Sequence, residues 1–255
     1  MSNPAQPALA VDNVGLQIGG ARILEGVGFS VPRGEMVGVI GPNGAGKTTL
    51  FNLISGLLRP TAGTIAINGQ DVTQMPVHRR AKAGLGRTFQ TSSLFPGLSV
   101  LENVRLAAQA RLGGSLSVLR FPGASDEATK AAKENVEEVG LSAKSSAPAA
   151  DLSHGDKRKV EIAMLLAADP ALILLDEPMA GVASGDVPAL SAIIRRMHRD
   201  RGCTVMMVEH HMDVVLGLVD RVAVMHHGSL LAIDTPEAVM ADPTVQSAYL
   251  GEPVQ

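Results

Sequence analysis

Residues Gly41-Pro42-Asn43-Gly44-Ala45-Gly46-Lys47-Thr48 fit the spacing G-x-x-x-x-G-K-[ST]. Glycines at those positions let the backbone curl until successive N–H groups point at one anion. A helix beginning at Lys47 adds the positive end of its dipole at the same point. Asn43, Gly44, Ala45, Gly46, Lys47, Thr48 and Thr49 are therefore a candidate cradle for a chain of phosphates. In such a cradle the lysine bridges the β- and γ-phosphates and the threonine hydroxyl holds Mg²⁺. The bland alternative is a glycine-rich turn that only joins a strand to a helix. Every fixed position of the pattern and both flanking elements favour the cradle.

Ile173-Leu174-Leu175-Asp176-Glu177-Pro178 is the second reactive stretch. It sets two carboxylates at the end of a buried strand, which is where open α/β sheets place their ligands. Asp176 suits the outer shell of Mg²⁺, a hard cation that prefers oxygen and keeps several waters. Glu177 suits a base or a positioning group for an attacking water. Alone, Asp-Glu-Pro after an apolar run is a commonplace polar strand end. Beside a phosphate cradle it is a candidate hydrolytic site.

The elements that must position these residues follow from the pattern of apolar runs. Met36–Ile40, Ala171–Leu175, Thr204–Val208 and Arg221–Met225 read as buried strands. Thr48–Ser55 reads as a helix stopped near Gly56. The alternation of such strands with helical patterns predicts an α/β core around a mainly parallel sheet. Val11–Val31, broken by Gly19-Gly20, and Gly63–Asn68 predict an antiparallel β layer on its side. From about 91 to 168 no strand is evident. Asp126–Val139 reads as an amphipathic helix ended by Gly140, and Ser142–Ala150 as a small-residue linker. The chain therefore reads as one domain, with 8–90 and 169–255 forming the core and about 91–168 an inserted helical subdomain.

Composition narrows the function classes. The chain has 255 residues, 45% of them hydrophobic, and a net charge of −3. That balance excludes wholesale disorder and argues against binding nucleic acid by bulk attraction. Lys157-Arg158-Lys159 reads as a solvated helix face. The single cysteine, Cys203, reads as a core thiol in a reducing compartment. No apolar run reaches the ~18 residues that span a bilayer. Met1–Ala10 lacks the basic and apolar segments of a secretion signal.

Leu152-Ser153-His154-Gly155-Asp156-Lys157-Arg158, just before a helix leading to the Asp-Glu strand, resembles the LSGGQ signature of the ABC ATPase family. Gln90, in Gly86-Arg87-Thr88-Phe89-Gln90, resembles the family's Q-loop glutamine. Ala180-Gly181-Val182-Ala183 stands at the D-loop, and His210 at the switch histidine, with His211 as its adjacent competitor. The resemblance implies a P-loop NTPase core that hydrolyses ATP with Mg²⁺. It implies Gln90 as a third group serving the metal with Thr48 and Asp176. Glu177 and His210 then stand as the catalytic pair. Ser153 and Gly155 precede a helix whose N-terminus can face the ATP held by a second head, so that ATP joins the two. His154 and Asp156 replace a glycine and a glutamine of the signature, and the D-loop lacks the family's usual aspartate.

Gly86-Arg87-Thr88-Phe89-Gln90, Glu209-His210-His211-Met212 and Ala248-Tyr249-Leu250-Gly251-Glu252 look like the ATPase subunits of branched-chain amino acid importers, near relatives of those for urea and short amides. Implied partners are a second ATPase head, identical or different, and transmembrane permease subunits, with a periplasmic substrate-binding protein acting indirectly. Ser92–Leu98, beside Gln90, is the expected docking stretch for a permease helix. The implied place is the cytoplasmic face of the bacterial inner membrane. A lipid or lipopolysaccharide exporter, and a soluble assembly or DNA-maintenance factor, are the alternative readings. The family's adenine-stacking aromatic is replaced by Ile18. Base–aromatic stacking contributes ~1–3 kcal/mol, so competition binding is expected to show weak discrimination between ATP and GTP. A strong preference for ATP would contradict this.

Overall fold

The structure, a computed structural model, describes residues 6–88, 94–112 and 126–250. Gln90 and the first two residues of the expected docking stretch, Ser92 and Ser93, lie outside them. Of the described residues, those up to Arg87, Ala171–Glu177 and those from Arg201 form one compact unit. Those within Thr88–Pro170 and Pro178–Asp200 form the other.

In chain order the strands are β1 (Leu9–Ile18), β2 (Ala21–Val31), β3 (Met36–Ile40), β4 (Ala62–Ile67), β5 (Gln70–Asp71) and β6 (Leu85–Arg87). They continue with β7 (Leu172–Asp176), β8 (Thr204–Val208), β9 (Arg221–His226) and β10 (Ser229–Asp234). The helices are α1 (Lys47–Ser55), α2 (Val77–Lys82), α3 (Val100–Leu112), α4 (Glu127–Glu138) and α5 (His154–Ala168). After these come α6 (Val187–Arg199), α7 (Met212–Leu218), α8 (Pro236–Ala241) and α9 (Pro243–Leu250).

All the strands lie in the first unit, in two sheets. The larger has the order β10-β9-β3-β8-β7-β6 and the smaller β2-β1-β4-β5. In the larger sheet β9, β3, β8, β7 and β6 pair in parallel, and only the edge pair β9–β10 is antiparallel. The smaller sheet is antiparallel throughout. The α/β class with an added β layer is thus the architecture found. Every residue of β3, β7 and β8 is buried, which is why those strands read as continuous apolar runs.

Three strands were not evident from sequence, for physical reasons. β5 is two exposed residues, Gln70 and Asp71. β6 is three residues long and contains Gly86. In β10 no residue is fully buried, and its apolar run is only the four residues Leu230 to Ile233, with no alternation.

The second unit holds α3, α4, α5 and α6. α4 begins as its sequence predicts: the Asp126 carboxylate accepts the Thr129 N–H at 2.6 Å, a side-chain cap for a donor that the helix leaves unpaired. Ala128, Ala132 and Val136 form its buried face. The small-residue linker contains two short 3₁₀ turns, Ser142–Lys144 and Ala149–Asp151. α6 belongs to this unit, whereas the sequence reading ran the core from 169 to 255 without a break.

The helix that carries the cradle is anchored at its core. Leu50, Phe51, Leu53 and Ile54 of α1 are fully buried, in one cluster with Leu9, Val14 and Ile65 of the β layer and Val37, Val39 and Leu174 of the main sheet. Burying an apolar side chain of this size stabilises by roughly 1.5–3 kcal/mol. The opposite face of β3 packs so closely on α7 that a Cβ at Gly38 would lie 2.5 Å from Val215 Cγ1.

The far end of α1 is closed by a buried cation. The Arg80 guanidinium donates to Leu53 O at 2.6 Å, Ile54 O at 2.8 Å, Thr73 O at 2.9 Å and Met75 O at 2.9 Å. The first two acceptors are carbonyls that a helix C-terminus leaves without intrahelical partners. Burial lowers the pKa of Arg80, and the nearby Asp71 opposes that shift. Arg80→Met fills much of the volume and removes four hydrogen bonds to buried carbonyls, of which Leu53 O keeps the Gly56 N–H. An unmade buried hydrogen bond costs ~1–3 kcal/mol, so urea unfolding is expected to show a loss of at least about 3 kcal/mol. A loss below about 1 kcal/mol would contradict the capping role.

Candidate nucleotide site at the start of α1

The turn from β3 into α1 is possible only with glycine. Gly41 has φ 152°, and a Cβ there would sit 2.2 Å from Met225 O. Gly46 has φ 100°, and a Cβ there would sit 2.5 Å from Leu24 Cδ2. Between them the loop is tied by Ala45 N–H to Pro42 O at 3.2 Å and by Gly228 N–H to Ala45 O at 3.1 Å. Gly46 is the N-cap of α1 and offers no side chain. The first-turn N–H groups, which a helix cannot satisfy internally, therefore meet no side-chain cap. This is the arrangement that attracts an anion.

Lys47, 6% exposed, is the first residue of α1. Its Nζ donates to Gly41 O at 2.6 Å and Pro42 O at 3.0 Å, which folds the ammonium along the loop. Burial lowers its pKa, and the negative charge of Glu177 raises it in opposition. Thr48, Asn43 and Gly44 are exposed.

β7 delivers the carboxylates. Asp176, its last residue, is 1% exposed, and its Oδ2 accepts from Arg87 Nη2 at 2.7 Å. Glu177 follows with φ 49°, a left-handed conformation that is unusual for a side chain of this kind. Its N–H donates to Val208 O at 2.9 Å, so the turn is held by β8. Backbone strain of this type costs on the order of 1–3 kcal/mol and clusters at functional sites. Here it swings Glu177 out of the sheet. Glu177 Oε1 lies 3.0 Å from His210 Nε2.

His210 sits just past β8 and its ring is 46% exposed. Its backbone N–H donates to Glu209 Oε2 at 3.0 Å, and the same oxygen lies 3.2 Å from His211 Nδ1. The buried Glu209 thus holds the turn that carries both histidines. His210 reaches Glu177, whereas His211 lies against Glu209.

A cleft of about 320 Å³ brings together Asn43 to Thr49, Glu177 and His210, with Ile23 as a further wall. Asp176 lies behind it, buried. The exposed Ile18 is absent from its lining, which includes Ile23. Lys47, the bare amides and Thr48 can bind phosphate oxygens. Glu177 and His210 can share a proton and hold a water. Glu209, Arg87 and Ile23 were missed from sequence. For Arg87 a signal existed, since it stands inside the Gly-Arg-Thr-Phe-Gln segment.

Ser153 and Gly155 lie in the other unit. Ser153 is the N-cap of α5, and its Oγ accepts the Asp156 N–H at 3.2 Å. A Cβ at Gly155 would come 3.1 Å from Asp186 Oδ2. Asp156, the glutamine replacement, binds Lys144 at 2.5 Å and Lys159 at 3.3 Å. Burial raises its carboxyl pKa, and the hydrogen bonds and charges of those two lysines outweigh that, leaving it lowered. The aspartate therefore ties the start of α5 to the 3₁₀ turn Ser142–Lys144.

Comparison with known proteins agrees with this geometry. The family model described as ABC transporter matches residues 24–180, and the one described as branched-chain amino acid ATP-binding cassette transporter matches residues 229–254. The chain belongs to the ABC transporter family of ATP-binding cassettes. It is 36% identical over 253 residues to the high-affinity branched-chain amino acid transport ATP-binding protein LivG of Salmonella typhimurium, spanning 97% of this chain and 99% of that one. The ADP conformation of the cassette MJ1267 from an ABC transporter superposes with TM-score 0.83 at 31% identity, covering 97% of this chain and 100% of that one. A dimeric post-hydrolysis cassette, MJ0796 bound to ADP and Pi, superposes with TM-score 0.75 at 26% identity, covering 89% and 98%. This cassette is an ATPase, and the cleft at the start of α1 is its candidate nucleotide site.

Proposed function

We propose that this cassette is the ATP-hydrolysing subunit of an importer for branched-chain amino acids. The observation that carries the chemistry is the convergence of Lys47, Glu177 and His210 on the cleft at the uncapped start of α1. The amino acid class is supported by the LivG relative along 97% of the chain and by the C-terminal family match.

In this reading Lys47 leaves the loop carbonyls and moves onto the β- and γ-phosphates. The amides of Asn43 to Thr49 hold the remaining phosphate oxygens. Thr48 and Asp176 supply a hydroxyl and a carboxylate, hard oxygen donors that fit Mg²⁺, with Gln90 as the third group by resemblance. The metal, when bound, spreads the charge that develops on the β- and γ-oxygens. Glu177 takes a hydrogen bond from the attacking water and polarises it. His210, held by the Glu209 turn, keeps the Glu177 carboxylate in place and contacts the γ-phosphate. Catalysis is then positioning and charge stabilisation.

Ser153 and Gly155 serve the nucleotide of a second head, as the dimeric relative suggests. ATP favours the closed pair, hydrolysis releases it, and permease subunits convert that shift into transport. Among the described residues no helix is long and apolar enough to cross a membrane. This is consistent with a peripheral place on the cytoplasmic face beneath the permease.

In proteoliposomes with the permease and binding protein, loading the binding protein with leucine, isoleucine or valine is expected to raise ATP hydrolysis several-fold. Lys47→Ala is expected to abolish it. Hydrolysis indifferent to the loaded binding protein and stimulated by a lipid substrate would overturn the importer reading.

A further inference from the structure

We infer that Arg87 is a positioning residue for the metal end of the nucleotide site, fixing the Asp176 carboxylate against the helix that carries Thr48. The inference rests on the ATPase reading above and concerns a residue to which the phosphate motifs assign nothing.

Arg87 closes β6, whose parallel register on β7 sets it opposite Leu174, two residues before Asp176. Its side chain is 7% exposed. Nη2 donates to Asp176 Oδ2 at 2.7 Å. Nη1 reaches α1, donating to Ser55 Oγ at 2.6 Å, Asn52 Oδ1 at 2.9 Å and Phe51 O at 3.2 Å. The guanidinium carbon also stands 6.0 Å from the centre of the Phe51 ring. One planar fork thus joins the carboxylate at the end of β7 to the second half of α1, the helix that begins with Lys47 and Thr48.

The geometry needs a guanidinium. A lysine ammonium is a compact point charge and cannot serve a carboxylate and three helix acceptors at fixed angles. The charge is needed too. An ionised carboxylate as deeply buried as Asp176 is stable only with a paired cation, and Arg87 supplies one without entering the cleft. Partners that orient a metal-binding carboxylate typically change metal affinity by ~10–100-fold when removed.

The test measures Mn²⁺ binding to the ADP-saturated full chain, from the free Mn²⁺ signal in electron paramagnetic resonance. Arg87→Met and Arg87→Lys are each expected to weaken Mn²⁺ binding about tenfold or more, while ADP affinity without metal stays near wild type. Should Arg87→Met not fold, Asn52→Ala and Ser55→Ala keep the cation and remove its anchors, and a smaller loss in the same direction is expected. Wild-type Mn²⁺ affinity in Arg87→Lys or in the anchor variants would overturn the positioning role. Wild-type protein that binds neither ADP nor Mn²⁺ would instead overturn the ATPase reading itself.

Discussion

A row of backbone N–H groups must be kept curled, bare and rigid in one place, and most of this fold follows from that constraint. Amides that bind phosphate cannot be capped by a side chain, so the start of α1 gives up the stabilisation that a capped helix has. The loss is offset by packing on every other side. β3 lies between β9 and β8, Met225 O closes over Gly41, and Gly228 reaches Ala45 O. Both sheets bury the apolar face of α1. A residue with a Cβ at Gly41 would push against backbone with no room to give.

The helix is also held by cations at three heights. Lys47 lies along the loop at its start, Arg87 grips its second half, and Arg80 closes its last carbonyls. Each side chain is buried, and each donates to oxygen acceptors of the fold. Such groups are destabilising unless their geometry is fully met, so they make a rigid body of α1 and its surroundings. Glu177 and His210 sit at the open end of that body. Glu177, with its left-handed backbone, is held in place by β8.

How much of this was legible depended on whether a residue's job is local. The cradle was legible because Gly41, Gly46 and Lys47 act on the eight-residue loop that contains them. Buried parallel strands were legible because two-sided burial leaves continuous apolar runs. Asp126 at the head of α4 was legible as a helix start. Arg80 was not, because in His78-Arg79-Arg80 it looks like any solvated cation, and its burial depends on carbonyls 26 and 27 residues away. Arg87 and Asp176 are 89 residues apart. Nothing in either segment announces the pair. The β6 and β10 edges left no periodic trace, one being too short and the other nowhere fully buried.

We propose that Glu177, poised on His210 at the mouth of the cradle, drives attack of water on bound ATP. Single-turnover hydrolysis by Glu177→Gln, with ATP affinity measured on the same protein, tests it most directly. The amide keeps size and loses the charge. A fall in rate of roughly 10²–10⁴ with ATP affinity retained is the predicted result. Hydrolysis at the wild-type rate would contradict the assignment of Glu177 and, with it, the chemistry read from this cleft.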